Sequence, residues 1–453
     1  MGLDFLRKPQ GAVDLHKSGG GNPSLSRTQL PYENLSKRFL VSTGQYSQQY
    51  SSLYYVRLEL LGEAVLRAAR AKWGGQLSNA QFLEALKKAK EGGECVVIGT
   101  LYKSMTLKPS VLHEYMKHLA IEGPMDKYIS DSDTLYLEDQ TARVQLLGNT
   151  PPVGNVTTGL IVAVRGRMSD ACFHATDYCL AGATSPTPGP APSPEAPRYV
   201  AFVSGLRFGD ASANEVHLRL LHEYLLGSSG SAEQKEQASR IGRLIVVGDT
   251  LAAVKTEGFD VKVVEQADGW LGEVSATLPV DVMPGATDPC NATLPQQPIH
   301  AALFPHSRRQ ADTFQSVTNP YDCRVGGVRI IGTSGQPVRD LMAFSSCTTP
   351  LDALKLTVQA RCLAPTAPDT MGCYPFTKSD PFCMVNQDTG EGASVIFSGG
   401  HDRVQYERLG VGGEGGGEGQ GPLCVCVPDF SVEPVVVLVD IDTLEVDLVE
   451  FGA

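Results

Sequence analysis

The chain has 453 residues, of which 42% are apolar and 19% are charged. Such a composition is typical of a soluble globular protein, and this length allows two or three domains that each have their own core. The net charge of −12 excludes a surface that is basic overall. A contact with nucleic acid would therefore require a local basic patch or a basic partner.

The cysteine pattern and the apolar runs indicate the compartment. Eleven cysteines occur without any Cys-x-x-Cys pair, which favours reduced thiols in the cytosol or nucleus over a disulfide framework. The first ten residues lack the apolar segment of a signal peptide. No run of about 18 apolar residues occurs, so we expect no membrane span.

The N-terminal part of the chain predicts a helix followed by a β-barrel. Residues 1–30 are polar and glycine-rich and are expected to be disordered. Residues 31–93 predict a helical segment, in which an amphipathic helix begins near Tyr46. Residues 94–182 contain short β-rich runs separated by turns, with a hairpin turn at residues 138–140. This arrangement favours a five-stranded barrel of the OB type.

The C-terminal part predicts an α/β domain. Residues 183–197 hold six prolines and are expected to form an extended linker or surface loop. From residue 198 to 453, apolar strands that end in glycine turns alternate with helices, and Pro434–Val439 reads as one of the last strands. Residues 408–421 are too glycine-rich to pack and are expected to form a flexible loop.

The turn after the short apolar strand Leu278–Val282 is the most informative segment. Pro284 and Gly285 form the turn, and small or polar residues follow them. Other predicted strands end in comparable turns. The residues of interest at all these strand ends are Ser204, Leu206, Asp249, Ala252, Ala286, Thr287, Asp288, His401 and Arg403.

These strand ends resemble those of calcineurin-like, binuclear-metal phosphoesterases, in which His, Asp and Asn side chains hold two ions about 3.5–4 Å apart. The resemblance implies that most ligand positions are lost, because Ala286 and Thr287 replace an Asn and a His. At most Asp249, Asp288 and His401 remain, which is too few for a pair of ions. We therefore expect no metal cofactor and no catalysis.

Turn chemistry offers an alternative reading of the residues that remain. Asp249 and Asp288 are suited to accept hydrogen bonds from backbone N–H groups within turns. His401 is expected to be a surface or turn residue rather than a ligand.

The predicted barrel raises the question of single-stranded DNA binding, which uses aromatic side chains and a basic groove. Tyr102, Tyr136 and Phe173 are the candidates for base stacking. Between residues 95 and 180, seven Lys or Arg side chains face nine Asp or Glu side chains, so the barrel is a poor attractor for DNA. The candidate DNA contacts are Lys103, Arg165 and Arg167.

Long segments of the chain resemble the B-subunit family of the replicative DNA polymerases alpha, delta and epsilon, most closely the delta members. The resemblance lies in the segments Gln48–Leu58, Val96–Leu112, Lys127–Asp139, Val317–Gln336 and Leu363–Phe382. It implies an OB fold joined to a catalytically degenerate calcineurin-like phosphoesterase domain, described as a β-sandwich flanked by helices.

The same resemblance implies a non-catalytic accessory subunit of the nuclear replicative polymerase, acting in DNA replication and repair synthesis. The implied partners are the metal-binding C-terminal module of the catalytic subunit and a third subunit that reaches the sliding clamp. Contact with DNA is expected to be weak at most.

Two alternative functions remain open. One is a residual metal-dependent phosphodiesterase or nuclease that uses Asp249, Asp288 and His401, and the other is a single-strand-binding module built on the barrel. Two charge-poor, proline-rich segments, Leu294–His306 and Ala364–Phe376, either form a protein interface or cover the sheet.

Overall fold

The computed structural model describes residues 26–41, 48–109, 125–186, 196–253, 260–310, 312–384, 391–410 and 421–452. The described chain begins with a short strand, β1 (Tyr32–Asn34), and a long helix, α1 (Ser52–Trp73). Helix α1 buries Leu53, Leu61 and Trp73 against the strands that follow.

A closed five-stranded barrel follows α1, with the strand order β2-β3-β4-β6-β5. In β3 alternate residues are buried, as period-two patterning requires, whereas β2 and the first half of β5 are buried along most of their length. The turn between β3 and β4 is held by Asp139, whose Oδ1 accepts the N–H groups of Thr141 and Ala142. The predicted barrel and its hairpin are thus confirmed. The strands are β2 (Glu94–Ser104), β3 (Thr134–Glu138), β4 (Arg143–Gly148), β5 (Ile161–Ser169) and β6 (Cys172–Cys179).

Two six-stranded sheets pack face to face after the barrel. One sheet has the order β10-β9-β8-β7-β16-β17 and the other β1-β11-β12-β13-β15-β14. Within them, β7 to β10 run parallel, as do β12, β13 and β15. The carboxyl ends of parallel neighbours lie at one edge of a sheet, so these strands deliver their following loops to common edges.

The bounds of the strands and helices in this part of the chain are as follows. The first sheet adds β7 (Tyr199–Val203), β8 (Ile241–Val247), β9 (Val280–Met283), β10 (Phe314–Ser316), β16 (Val435–Asp440) and β17 (Val446–Glu450). The second adds β11 (Tyr321–Val325), β12 (Val328–Thr333), β13 (Val395–His401), β14 (Gln405–Arg408) and β15 (Leu423–Pro428). The helices are α2 (Glu215–Leu225), α3 (Ala232–Ser239), α4 (Val261–Ser275), α5 (Gln336–Ala343) and α6 (Pro350–Ala360).

Three apolar cores hold these layers together. One lies between the two sheets, and a second lies between the first sheet and helices α2, α3 and α4. The third joins the barrel and α1 to α5, α6 and the outer face of the second sheet. Because one continuous core spans the barrel and the sandwich, the two parts are packed as a unit.

Lysine side chains from the barrel side also reach the C-terminal end of α5. Lys127 Nζ donates hydrogen bonds to the carbonyl oxygens of Met342, Ser345 and Cys347 at 2.6–3.0 Å. Positive charge at the end of a helix is favourable, because the last carbonyl groups have no partner within the helix. These bonds therefore fix the barrel against the sandwich.

Several expected boundaries differ from the structure. The prediction of disorder covers residues 1–30, of which residues 1–25 lie outside the described part of the chain. Residues 26–30 are packed, because the Arg27 guanidinium donates to the carbonyl oxygens of Leu225 and Ala238 at the ends of α2 and α3. Helix α1 begins at Ser52, and the start expected near Tyr46 lies outside the described residues. The same holds for most of the two predicted loops, at residues 187–195 and 411–420.

The remaining expectations have clear outcomes. The last-strand assignment at Pro434–Val439 is confirmed by β16, which β17 follows. In the segments Leu294–His306 and Ala364–Phe376, Ile299, Phe304 and Ala364 are almost fully buried, so parts of both segments cover the sheets, whereas positions such as His300 and His306 are exposed. In the part of the chain that the structure describes, no helix has both the length and the apolar character needed to cross a bilayer.

Candidate functional site

Loops from both sheets converge at the carboxyl ends of their strands. We call this region the strand-end site. Each contributing residue follows, ends or lies shortly after a strand, so its position is set by the sheets rather than by a flexible loop. The site consists of Arg207 after β7, Asp249 after β8, Asp288 after β9, Arg339 in α5 after β12, His401 at the end of β13 and Asp429 after β15.

Asp249 ties the loop after β8 to the loop after β9. Its backbone is left-handed, with φ of 53°, a conformation that Asp tolerates better than most residues. Its Oδ1 accepts hydrogen bonds from the N–H of Thr287 at 2.9 Å and from the hydroxyl of Thr287 at 3.1 Å. A Cβ on Gly285 would lie only 2.2 Å from the backbone nitrogen of Asp249. The two turns therefore require glycine at this contact.

Asp288 is buried and is held by three backbone donors. Its Oδ1 accepts from Leu251, and its Oδ2 accepts from Gly285 and Thr250, at distances of 2.8–3.2 Å. Burial raises the pKa of this carboxyl to about 7 despite the backbone donor from Leu251, and the nearby charge of Asp249 contributes. All three donors are turn contacts, which fits the turn-stabilising reading of Asp249 and Asp288.

His401 is buried, so its expected position on the surface or in an exposed turn is wrong. Strand β13 extends to this residue, and the imidazole Nε2 lies 2.8 Å from the hydroxyl oxygen of Ser398. Burial, helped by the positive charge of Arg339, lowers the pKa of His401 to about 3. Arg403, by contrast, is exposed.

Arg207 and Asp429 form an ion pair across the site. The Nε and Nη2 atoms of Arg207 lie 2.8 Å and 2.6 Å from Oδ2 of Asp429. The other oxygen of Asp429 accepts the N–H and the hydroxyl of Ser431 at 3.1 Å and 2.7 Å. Both oxygens of this carboxylate are thus occupied.

Arg339 extends its guanidinium into the same region. Its Nη1 donates to the carbonyl oxygen of Gly400 at 3.0 Å. A Cβ placed on Gly400 would lie 2.7 Å from this Nη1 and 3.6 Å from Oδ2 of Asp249, so both groups face the same small space. Burial lowers the pKa of Arg339, and the negative charges of Asp249 and Asp429 oppose that change.

Arg207, Arg339 and Asp429 were not predicted as site residues. The signal in the sequence was a charged residue close behind an apolar strand and its glycine or proline turn, as in Val427-Pro428-Asp429. A pattern of acidic and histidine metal ligands does not include arginine, so it gives no signal for Arg207 and Arg339. Their proximity depends on loops that lie far apart in sequence.

The other sequence-predicted positions serve the fold. The Ser204 hydroxyl donates to the carbonyl oxygen of Val247 at 2.7 Å, and Leu206 is fully buried among the helices that cover the first sheet. Ala252 donates its N–H to the carbonyl oxygen of Phe208, and Ala286 is exposed. Among the residues that the structure describes, no group of three or more His, Cys, Asp or Glu side chains is arranged to hold a metal ion.

The three predicted DNA contacts of the barrel differ in their exposure and in their ion pairing. Lys103 is 1% exposed, and its Nζ donates to the carbonyl oxygen of Phe344 at 3.1 Å. Its assignment as a DNA contact is therefore wrong, because the charge does not reach the surface. Arg165 pairs with Glu94 at 2.9 Å, whereas Arg167 is exposed on β5.

The aromatic candidates for base stacking also differ in their exposure. Phe173 is fully buried in the barrel and cannot stack on a base. Tyr102 and Tyr136 are half-buried, with ring centroids 6.2 Å apart. Beside Tyr102, a cavity of about 190 Å³ lies between α1 and the barrel, and its wall includes Arg143 paired to Glu138 at 2.6 Å. The positive charge at this cavity is thus already neutralised.

Comparison with known proteins matches both parts of the fold. The family model described as DNA polymerase delta subunit OB-fold domain matches residues 49–178. The family model that describes the B-subunit of DNA polymerases alpha and epsilon matches residues 200–387. The first match covers α1 and the barrel, and the second covers the two-sheet region from β7 to α6 and ends before β13.

Curated relatives match almost the whole chain. The DNA polymerase delta small subunit of Oryza sativa subsp. japonica is 34% identical over 444 residues, which cover 94% of this chain and 99% of the relative. DNA polymerase delta subunit 2 of Drosophila melanogaster is 35% identical over 443 residues, with the same coverage of 94% and 99%. The DNA polymerase delta small subunit of Saccharomyces cerevisiae is 28% identical over 457 residues, which cover 89% of this chain and 90% of the relative. The chain therefore belongs to the DNA polymerase delta small-subunit family.

Proposed function

We propose that this chain is a non-catalytic scaffold subunit of a polymerase delta complex, acting in the nucleus during DNA replication and repair synthesis. The barrel and α1 contact one part of the complex. A phosphoesterase-like sandwich without a working metal site contacts another part. The names of the relatives place them in polymerase delta, which supports membership of that complex.

The hydrogen bonds and the ion pair within the strand-end site support the non-catalytic assignment most directly. Asp249 and Asp288 accept hydrogen bonds from backbone and hydroxyl donors of neighbouring turns. Asp429 is neutralised by Arg207, and the imidazole of His401 contacts the hydroxyl of Ser398. A binuclear phosphoesterase needs several free ligands for each of two ions. We infer that the site is a calcineurin-like phosphoesterase site that has lost its function.

The proposed partners are the metal-binding C-terminal module of the polymerase delta catalytic subunit and a third subunit that reaches the sliding clamp. A packed unit of barrel and sandwich is suited to this role, because a rigid body can hold two partners in a fixed relation. Co-expression of the chain with the C-terminal module, followed by size exclusion, tests the proposal.

Residual phosphodiesterase activity is the first alternative. Purified chain is incubated with millimolar manganese and single-stranded DNA, and release of nucleotides is followed. The scaffold assignment predicts no turnover above a matched Asp249→Ala sample. Turnover in the wild type that disappears in Asp249→Ala would overturn the non-catalytic assignment.

Single-strand binding by the barrel is the second alternative, and exposed Arg167 is the residue that keeps it open. Fluorescence anisotropy with a labelled oligonucleotide should give a dissociation constant no tighter than the non-specific range of about 10⁻⁴ M. Tighter, salt-dependent binding that Arg167→Ala weakens would favour this second function.

A further inference from the structure

The strand-end site contains two guanidinium groups among its carboxylates. Arg207 is bonded to Asp429 through two nitrogen atoms, and Arg339 shares the space in front of Gly400 with Asp249. Arg207 follows β7 of the first sheet and pairs with Asp429, which follows β15 of the second sheet. Arg339 follows β12 of the second sheet and faces the same space as Asp249, which follows β8 of the first sheet. Two positive charges thus lie beside two carboxylates at the place where the strands of both sheets end.

We propose that Arg207 and Arg339 are the resident cations of the strand-end site, taking the electrostatic place of metal ions and holding the loops together without any metal. The proposal rests on the assignment of this site as a non-catalytic phosphoesterase site. Neither the family matches nor the metal-ligand pattern assigns a role to these two arginines.

The local backbone leaves room for the Arg339 side chain. Gly335 and Gly400 both have left-handed backbones, with φ of 96° and 66°. A Cβ on Gly335 would lie 2.9 Å from Nη1 of Arg339, and a Cβ on Gly400 would lie 2.7 Å from the same atom. At Gly335 a Cβ would first meet the carbonyl oxygen of Gly399, at 2.0 Å, so the backbone itself requires glycine there. At Gly400 the Nη1 of Arg339 is the nearest atom, so a side chain at that position would displace the guanidinium.

The charges also balance. Asp249 and Asp429 are both nearly fully buried, at 2% and 5% exposure. A buried carboxylate without a compensating positive charge is strongly unfavourable, and removing one partner of a buried pair destabilises a protein. Two arginines match these two carboxylates in number. The third buried carboxyl of the site, Asp288, accepts three backbone hydrogen bonds and has its pKa raised to about 7 by burial, and Asp402 is exposed to water.

A double-mutant cycle tests the electrostatic interaction between Arg339 and Asp249, which face the same space. The variants are Arg339→Met, which keeps the aliphatic stem, Asp249→Asn, and the two combined, and the readout is the Tm of the full chain. Each single substitution should lower Tm by about 3–5 °C, because each removes the opposite charge that faces a buried group. The combined variant should lose clearly less than the sum of the two. Arg219→Met, at an exposed position on α2, is the matched control and should leave Tm unchanged.

Additive losses would overturn the proposal, since they would mean that the two charges do not interact. If Arg339→Met does not fold, recovery of the folded combined variant supports the proposal. Failure of the combined variant while Asp249→Asn folds contradicts it. The Tm of the wild type should be the same in manganese and in a chelator, and a manganese-dependent rise would also contradict it. None of these readouts involves partner binding, so a failed complex with the catalytic subunit would be distinguishable.

Discussion

Arg57 in α1 and Asp380 in the segment that covers the second sheet form a fully buried ion pair. The Nε of Arg57 lies 2.6 Å from Oδ2 of Asp380, 323 positions away along the chain, and both side chains are 0% exposed. Nη1 of Arg57 also donates to the carbonyl oxygen of Pro365 at 2.7 Å. This pair links the helix of the barrel side directly to the sandwich side.

Removal of either partner of this pair should destabilise the whole chain. Arg57→Met leaves Asp380 as a buried carboxylate without its cation, and Asp380→Asn leaves Arg57 without its anion. Each change should cost about 3–5 kcal/mol in the free energy of unfolding, measured by denaturant titration. Arg67→Met on the same helix is the control, because the Arg67–Glu63 pair is exposed and should contribute under about 1 kcal/mol. Equal effects at Arg57 and Arg67 would contradict the stabilising role of the buried pair.

Gly285 should be intolerant of a side chain because of its contact with the loop after β8. Its ideal Cβ would lie 2.2 Å from the backbone nitrogen of Asp249, whereas a Cβ on Gly269 in α4 would meet nothing within 4 Å. Gly285→Ala should therefore lower the stability, and Gly269→Ala should leave it unchanged or raise it by about 0.5–1 kcal/mol. Thermal unfolding of both variants checks the prediction, and a harmless Gly285→Ala would mean that the two turns are not in close contact.

The buried neutral state of His401 should make the chain less stable in acid. Its pKa in the folded protein is about 3, whereas an unfolded histidine titrates near about 6.5. The unfolded chain therefore binds a proton between these two values that the folded chain does not. The contribution of His401 to stability is complete above pH about 6.5 and is lost as the pH falls through this window, by up to about 1.4 kcal/mol per unit.

His401→Gln removes this proton uptake while keeping a side chain that can bond to Ser398. The variant should lose less Tm than the wild type as the pH falls from neutral to mildly acidic values. His300→Gln, at an exposed position, should follow the wild type. If wild type and His401→Gln show parallel pH profiles, His401 is not held neutral in the folded protein.

The sequence predicted those features that local patterns determine. Alternation in strands such as β3 and a turn at Asp139 were enough to predict the barrel, because period-two patterning and turn chemistry act over a few residues. The turn-stabilising reading of Asp288 rested on the same local chemistry. The structure identifies its donors, two of which come from Thr250 and Leu251 after a different strand.

The features that the sequence did not predict are tertiary. The burial of His401 depends on the packing of β13, whereas Gly-His-Asp alone is typical of a surface or turn position. The ion pair of Arg207 with Asp429 joins loops 222 positions apart. The sequence favours Lys103 as a candidate DNA contact, because nothing local shows that its side chain reaches the carbonyl oxygen of Phe344. Such pairings exist only once both sheets and the barrel are assembled.

Complex formation with the polymerase delta catalytic subunit is the decisive test of the scaffold assignment. The chain is co-expressed with the C-terminal module of that subunit and run on size exclusion with light scattering, and a catalytic-subunit fragment without the module serves as the control. We expect a single species whose mass equals the sum of chain and module, with the control fragment eluting separately. Separate elution of chain and module at micromolar concentration would contradict the scaffold assignment.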